Sequence, residues 1–429
     1  MRPVSVLLTN NTLGPRAGSE VYVRDVALAL LRRGHRPVAF SLVLGEVAAE
    51  LRRATIPVLD DVTRLGEAPD VIHGHHHLET LIATLAFPGT PVVNFCHGWL
   101  PWEEMPLHHP AVRRYVAVDE VCVDRLVREE GISPDRVELV LNFVDLDRFP
   151  PRPPLPARPA RALVLSNAAA REGYAGAIIA ACQAAGIAAD VIGAAAGNAS
   201  HAPEAVLPAY DLVFAKGRTA LEALAVGCAV VLADAAGAGP LVTRSNYEVL
   251  RARNFGIREL THPHTVAWYG TQIVQYCASS AADVSARVRA EAGMEQAIDR
   301  LLDIYAAAMT SPHGPGDPSR AAALHCCRIA RPLKEAYTAE DRLRRLASEL
   351  DAARAEIGTA RAVIDEHSRA ARECERQLAC AHREVQSLQS RIAAFRALPT
   401  LRLRDTVLKT PLVGPVLQAS ARRLAKLLM

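Results

Sequence analysis

Three groupings of residues have types and spacings suited to chemistry. Gly14-Pro15-Arg16-Ala17-Gly18-Ser19-Glu20 comes after the apolar run Val4 to Leu8 and leads into a helical pattern over Val21 to Leu31. A loop that hands over to a helix start leaves backbone N–H groups free and turns the positive end of the helix dipole toward whatever binds there, which suits a phosphate. The plainer reading is a strand-to-helix turn with Ser19 as N-cap. In the second grouping, Lys216-Gly217-Arg218-Thr219 precedes Glu222, so two cations lie beside a carboxylate near the start of a helix; the plainer reading makes Glu222 a helix-dipole partner. The third comprises His73, His75, His76 and His77 at the end of one apolar run and His97 after another, Val92 to Phe95. A histidine cluster without a carboxylate pair or cysteine is a poor metal site, so no metal is expected and these rings are read as lining a cleft. His97 falls where the carboxyl end of a parallel strand meets ligand in doubly wound folds, although a hydrogen-bonded loop histidine fits the residue equally well.

Elements that could position these groups are legible along the chain. Short β-rich runs alternate with amphipathic helical patterns up to Phe149: Val4 to Leu8, Glu20 to Arg33, Pro37 to Val43, Val47 to Arg53, Val71-Ile72, Val92 to Phe95, Tyr115 to Val118, a helix over Asp119 to Glu130, and Val137 to Leu141. Six prolines in the ten positions 150–159 then form a stiff linker. The pattern restarts with Ala162 to Leu165, an Ala-rich helix to Ala185, Ala189 to Ile192, Leu212 to Phe214, the helix Thr219 to Ala225 and Ala229 to Leu232. The expectation is an α/β chain of two Rossmann-like domains facing across a cleft, residues 1–149 and 161–310, joined by a linker over 150–160. A Pro-, Gly- and Ser-rich stretch opens a second linker, 311–330.

Past residue 330 the sequence changes in kind. Positions 343, 350, 357, 364, 371, 378, 385 and 392 are Leu, Leu, Ile, Ile, Ala, Leu, Val and Ile, and the positions three residues later run from Leu346 to Phe395. Eight successive heptads predict a coiled coil over 331–398 and a homo-oligomer through residues 343–395, most simply a parallel dimer, with intramolecular or heteromeric pairing as alternatives. The tail 399–429 carries Arg402, Arg404, Lys409, Arg422, Arg423 and Lys426 against Asp405 alone. Its residues 401–429 suit either contact with a membrane surface or docking on the protein's own surface.

Global composition narrows the partners. With 49 Lys+Arg against 46 Asp+Glu, the net charge of +3 does not point to a nucleic acid. The apolar start is too short for a signal peptide, no stretch reaches the ~18 apolar residues of a membrane span, and the nine cysteines are scattered. The expected location is the cytoplasm, with the inner face of the membrane reached through the tail.

Several motifs together resemble the GT-B glycosyltransferases of family four: Ala17-Gly18-Ser19-Glu20, Tyr22-Val23-Arg24-Asp25, Arg33-Gly34-His35, Asp70-Val71-Ile72-His73-Gly74-His75, His97-Gly98, Leu141-Asn142-Phe143-Val144-Asp145 and Leu221-Glu222-Ala223-Leu224-Ala225-Val226-Gly227. The resemblance covers roughly residues 1–305. It implies transfer of a hexosyl group from a nucleotide sugar, a substrate rather than a cofactor, to a saccharide or lipid-linked acceptor in cell-surface polysaccharide assembly. The second domain would hold the nucleotide. By the resemblance, Glu222 accepts hydrogen bonds from the donor ribose and His97 is the catalytic candidate contacting sugar or acceptor. Donor-side expectations add Gly18, Ser19, Arg171, Lys216, Gly217, Arg218 and Thr219; acceptor-side ones are Glu20, His75 and Trp99, whose ring could stack on a sugar or anchor its own loop. No Mg²⁺ site is expected, cations and helix N-termini balancing the leaving diphosphate.

Two departures stand out. Phe214 occupies the position of a second glutamate, and the usual arginine-lysine pair is reduced to Arg171. They favour an alternative, a catalytically inactive scaffold of the same fold that oligomerises through its coil. A hydrolytic epimerase of this fold is a further alternative whose carboxylates cannot be placed. The turn around Asp211 to Glu222 also resembles inverting N-acetylglucosaminyltransferases, so the stereochemistry stays open.

Overall fold

Strands buried on both faces require helices above and below them, and the apolar runs of this chain meet that condition. The computed structural model describes residues 2–99, 101–396, 406–409, 411 and 414–427. The first sheet has seven parallel strands in the order Val58–Leu59, Arg36–Phe40, Ser5–Thr9, Val71–His75, Val92–Cys96, Val112–Ala117, Val137–Leu139. Leu7 of the third strand in this order sits between Val38 and Ile72. The order reverses there, so the carboxyl ends of Ser5–Thr9 and Val71–His75 border a crevice.

The second sheet runs Ala188–Ile192, Arg161–Leu165, Leu212–Ala215, Ala229–Asp234, Gly237–Leu241, with only the last strand antiparallel to its neighbour. Its reversal point lies between Arg161–Leu165 and Leu212–Ala215. Helix Gly217–Val226 comes directly after the latter and is buried along most of its length. The helix expected over Asp119 to Glu130 is α-helical at Glu120–Asp124 and widens to a π-helix over Arg125–Glu129.

The Pro-rich segment lies against the second half. The Arg152 N–H donates to Val226 O at 2.8 Å, its guanidinium reaches Tyr210 O and Asp211, and the Tyr276 hydroxyl donates to Pro156 O at 2.9 Å. The chain then crosses back. Val144 N–H donates to Ala292 O and Met294 N–H to Val144 O, each at 2.8 Å, and helix Met294–Thr310 buries Ile298, Leu301 and Tyr305 in the core of the first half. Residues 294–310, expected from the sequence in the second domain, therefore pack with the first.

Residues 1–329 form one compact unit and 330–429 another. The helix Pro318–Arg396 begins inside the expected linker, with Ala322, His325 and Ile329 buried. Beyond it, Gly414–Leu427 is helical, while residues 397–405 of the expected coil end and basic tail lie outside the described residues. No helix among the described residues is long and apolar enough to cross a membrane.

One close approach holds the second sheet's edge in place: a Cβ on Gly193 would lie 1.9 Å from Ser166 O. Gly193→Ala should therefore force the backbone apart and cost roughly 1–3 kcal/mol, read as a lower urea midpoint at unchanged m-value.

Candidate functional site

Helix Gly18–Arg32 starts at the crevice of the first sheet. Ala17 is its N-cap and makes no side-chain capping bond; Ser19 lies inside the helix and donates its hydroxyl proton to Glu20 at 3.1 Å. The expected Ser19 cap is therefore replaced by an uncapped end, which leaves the first N–H groups available. Across the crevice, Lys216 is the N-cap of helix Gly217–Val226, and Arg218 and Glu222 are one turn apart on the same face. What looks like a turn in the sequence is the helix's own first turn.

A cavity of about 190 Å³ opens between the two helix starts. Gly18, Arg16 and Val21 come from the first half; Arg148 comes from the crossover, and Ser166, Arg218, Thr219 and Glu222 come from the second half. At its floor, the Arg218 guanidinium joins Asp25 of helix Gly18–Arg32 to Glu222, whose Oε1 accepts from Arg218 Nε at 2.9 Å. Among the described residues, Glu222 Oε2 accepts no hydrogen bond and the buried Arg218 Nη1 has no partner. The network continues outward: Arg24 Nε donates to Asp25 at 2.9 Å and its Nη1 to Glu50 at 3.2 Å, and Glu50 also holds Arg16.

One guanidinium thus serves two buried carboxylates, and they respond differently. Burial opposes ionisation of Asp25, but Arg218 and Arg24 outweigh it and hold its carboxyl below the usual range. Burial raises Glu222 above its usual range, because Arg218 offsets the desolvation only in part and Asp25 adds repulsion. Burial alone would lower the Arg218 pKa, yet the two carboxylates reverse that and keep it charged.

A second cavity, of about 320 Å³, lies on the other side of the same helix start. His97, Trp99, Asp119 and Asn142 face Lys216, Gly217 and Asn254 there. The buried His97 Nε2 lacks a partner, while the His97 backbone N–H donates to Glu104 at 2.9 Å. Burial outweighs the pull of Glu104 and moves the imidazole down to about 4, so it is neutral near pH 7. Trp99 is exposed at the rim and donates its indole N–H to Glu129 at 3.0 Å. Lys216 is ion-paired with Asp234 and faces this cavity rather than the first.

Ser19 lines neither cavity, and three more expected residues sit elsewhere. His75 is fully buried, with its ring stacked on His97 at 4.5 Å and its Nε2 bonded to His73 Nε2 at 2.6 Å, so it backs the cavity wall instead of meeting an acceptor. Glu20 is also buried, turned toward Ser19 and away from both cavities. Arg171 is exposed in a turn and lines neither cavity. The cations at the first cavity are instead Arg16, Arg148 and Arg218. Arg16 and Arg148 were missed, although the former stands in the glycine loop and the latter just after Asn142-Phe143-Val144-Asp145. Among the described residues, no group of three or more His, Cys, Asp or Glu is placed to hold a metal.

The Phe214 departure has a structural counterpart, and Phe143 adds a second aromatic near the site. Phe214 is buried in the second sheet's core, edge-on to Tyr269 at 5.6 Å, so that position presents nothing to a ligand. Phe143 fills the floor of the crevice, 5.1 Å from the Tyr22 ring and 6.0 Å from the Arg218 guanidinium.

Comparison with known proteins agrees with this architecture. Residues 16–148 match the family model described as Glycosyltransferase Family 4. A glycosyltransferase from Rickettsia africae superposes with a TM-score of 0.54 at 13% identity, over 73% of this chain and 100% of that one. Anabaena HepE, solved in complex with UDP and glucose, superposes with a TM-score of 0.54 at 14% identity, over 71% and 99%. No curated relative matches the sequence. The fold is that of the GT-B glycosyltransferases.

The buried neutral imidazole of His97 carries a pH signature. An unfolded chain takes up protons below pH ~6.5 that the native ring refuses until about 4, so native stability should fall across that interval by an amount on the order of 3 kcal/mol from this residue. Thermal unfolding monitored from pH 7.5 to 4.5 should show the decline, and His97→Gln should make it shallower.

Proposed function

We propose that this protein transfers a hexosyl group from a nucleotide-diphosphate sugar to a saccharide or lipid-linked acceptor in cell-surface polysaccharide assembly. The observation that carries the reading is the 190 Å³ cavity, where three arginines and an uncapped helix start converge beside a carboxylate with one unused oxygen. Breaking the bond between sugar and diphosphate leaves an added negative charge on the departing phosphate. Arg16, Arg148, Arg218 and the N–H groups at Gly18 would neutralise it without a divalent cation, and a water-poor site makes such preorganised charges more effective. Glu222 Oε2 would accept from the ribose hydroxyls. The acceptor would enter the 320 Å³ cavity, where neutral His97 is available to take the proton of its attacking hydroxyl and Trp99 offers a face for a sugar ring.

UDP-glucose is the first donor to test, since HepE has been solved with UDP-glucose as well as UDP. Calorimetric titration should give binding that weakens at least tenfold in Glu222→Gln and in Arg148→Ala, with melting curves confirming that both variants stay folded. Unchanged affinity in both would overturn the donor-site assignment. A folded wild-type protein that binds neither uridine nor guanosine diphosphate sugars would leave the inactive scaffold as the better reading, which the placement of Phe214 in the core favours.

We also read residues 401–429 as a peripheral contact with anionic membrane at the cytoplasmic face, supported by the six basic residues of that stretch against one acidic residue. Co-sedimentation with phosphatidylglycerol vesicles should be lost on truncation after residue 398.

A further inference from the structure

The long helix leaves an apolar stripe uncovered. Leu343, Leu350, Ile357, Ile364, Leu378 and Ile392 are all more than half exposed, and they recur every seven residues on one face. A solvated single helix gains nothing from a strict seven-residue register, whereas a supercoiled pair buries such a stripe along its whole length. From 343 to 395 that seam is about 80 Å long at 1.5 Å per residue.

We infer that the occupant is a second copy of this chain, parallel and in register. Charge complementarity supports a second copy as the occupant. Glu349 and Arg354, and likewise Glu356 and Arg361, are five residues apart. That spacing is too long for a pair within one helix, where partners lie three or four residues apart. It is the spacing at which flanking charges meet across a parallel in-register seam, so each pair forms twice in a dimer. Within the helix, neither Glu349, Glu356 nor Arg361 has an ion-pair partner among the described residues, and Arg354 reaches Asp351 only at 3.5 Å. An antiparallel pair with full overlap would set Glu356 against Glu384 while matching Glu349 with Arg391 and Arg361 with Glu375, but it would bury His367 against Ala371 rather than against its counterpart. In the parallel arrangement the one like-charge encounter, Arg391 with Arg396, falls in the last heptad.

Register is further fixed by His367, the polar residue on the stripe. In register, two imidazoles face one another and can share a hydrogen bond. Slipped by a heptad, each would be buried against an apolar or thiol side chain, at the cost that makes single polar seam positions specify alignment.

Two cysteines make the arrangement testable. Cys374 lies on the stripe and would face its counterpart across the seam, whereas Cys380 lies on the outer face; both are exposed thiols in the single chain. The experiment uses the full chain with Cys277, Cys326 and Cys327 changed to Ser. Sedimentation should give twice the 46.2 kDa chain mass. Diamide, which takes up the two electrons and two protons released as the disulfide forms, should cross-link it covalently. Cys374→Ser should abolish the cross-link and Cys380→Ser should leave it intact. Ile357→Asp combined with Ile364→Asp should raise the dissociation constant at least 100-fold while leaving the main thermal transition in place. A monomeric full chain overturns the proposal, as does a dimer unaffected by the double substitution. A dimer that cross-links only through Cys380, or not at all, overturns the parallel register.

Discussion

A guanidinium buried between two carboxylates from opposite sides of a cleft is the interaction on which the rest of this molecule turns. Arg218 is desolvated and therefore needs compensation that neither half supplies alone: Glu222 comes from its own helix and Asp25 from the helix across the crevice. Removing one partner of such a group leaves a buried charge uncompensated, which typically costs about 3–5 kcal/mol. The charge of the cavity and one of the contacts that close it thus share a residue. The arginine placed to meet a bound anion is also one of the residues that tie the two halves together, along with Asn254 and Arg258.

Behind it stands a wall of rings. Tyr22, Phe95, His73, His75 and His97 form one connected cluster of ring contacts, and the inner end is closed by Tyr305 bonded to His73. Burial drives the histidines well below their usual range and so keeps them neutral. A neutral, packed wall excludes water without adding charge, which matters where water competes with an acceptor hydroxyl.

The order of most strands and helices was legible because the strands are short and rich in β-branched and apolar residues and are separated from one another by a helical period or a turn. The strand Gly237–Leu241 escaped detection: glycine at 237 and 239 and Pro240 erase any β pattern, yet a side chain at 239 would lie 2.7 Å from Glu259 O, so closeness to a neighbour dictates the composition. Arg218, Thr219 and Glu222 could be placed together because they share a helix turn. Arg148 could not, since its position at the cavity depends on a crossover whose path is set by contacts more than a hundred residues distant, such as Asn142 N–H to Asn254 at 3.1 Å. His75 and Glu20 carried polar types that suggested a ligand. Only tertiary packing shows that their partners are other protein groups.

The bridge between Val144 and Gly293 has a mechanical consequence. Both passages of the chain from one half to the other run through it, stitched by two backbone hydrogen bonds only a residue or two apart. Sliding or shearing of the halves would break both bonds together, whereas swinging about the line that joins them strains neither. Any opening of the cleft about that line would still have to part Arg218 from Asp25 and Asn254 from Val118.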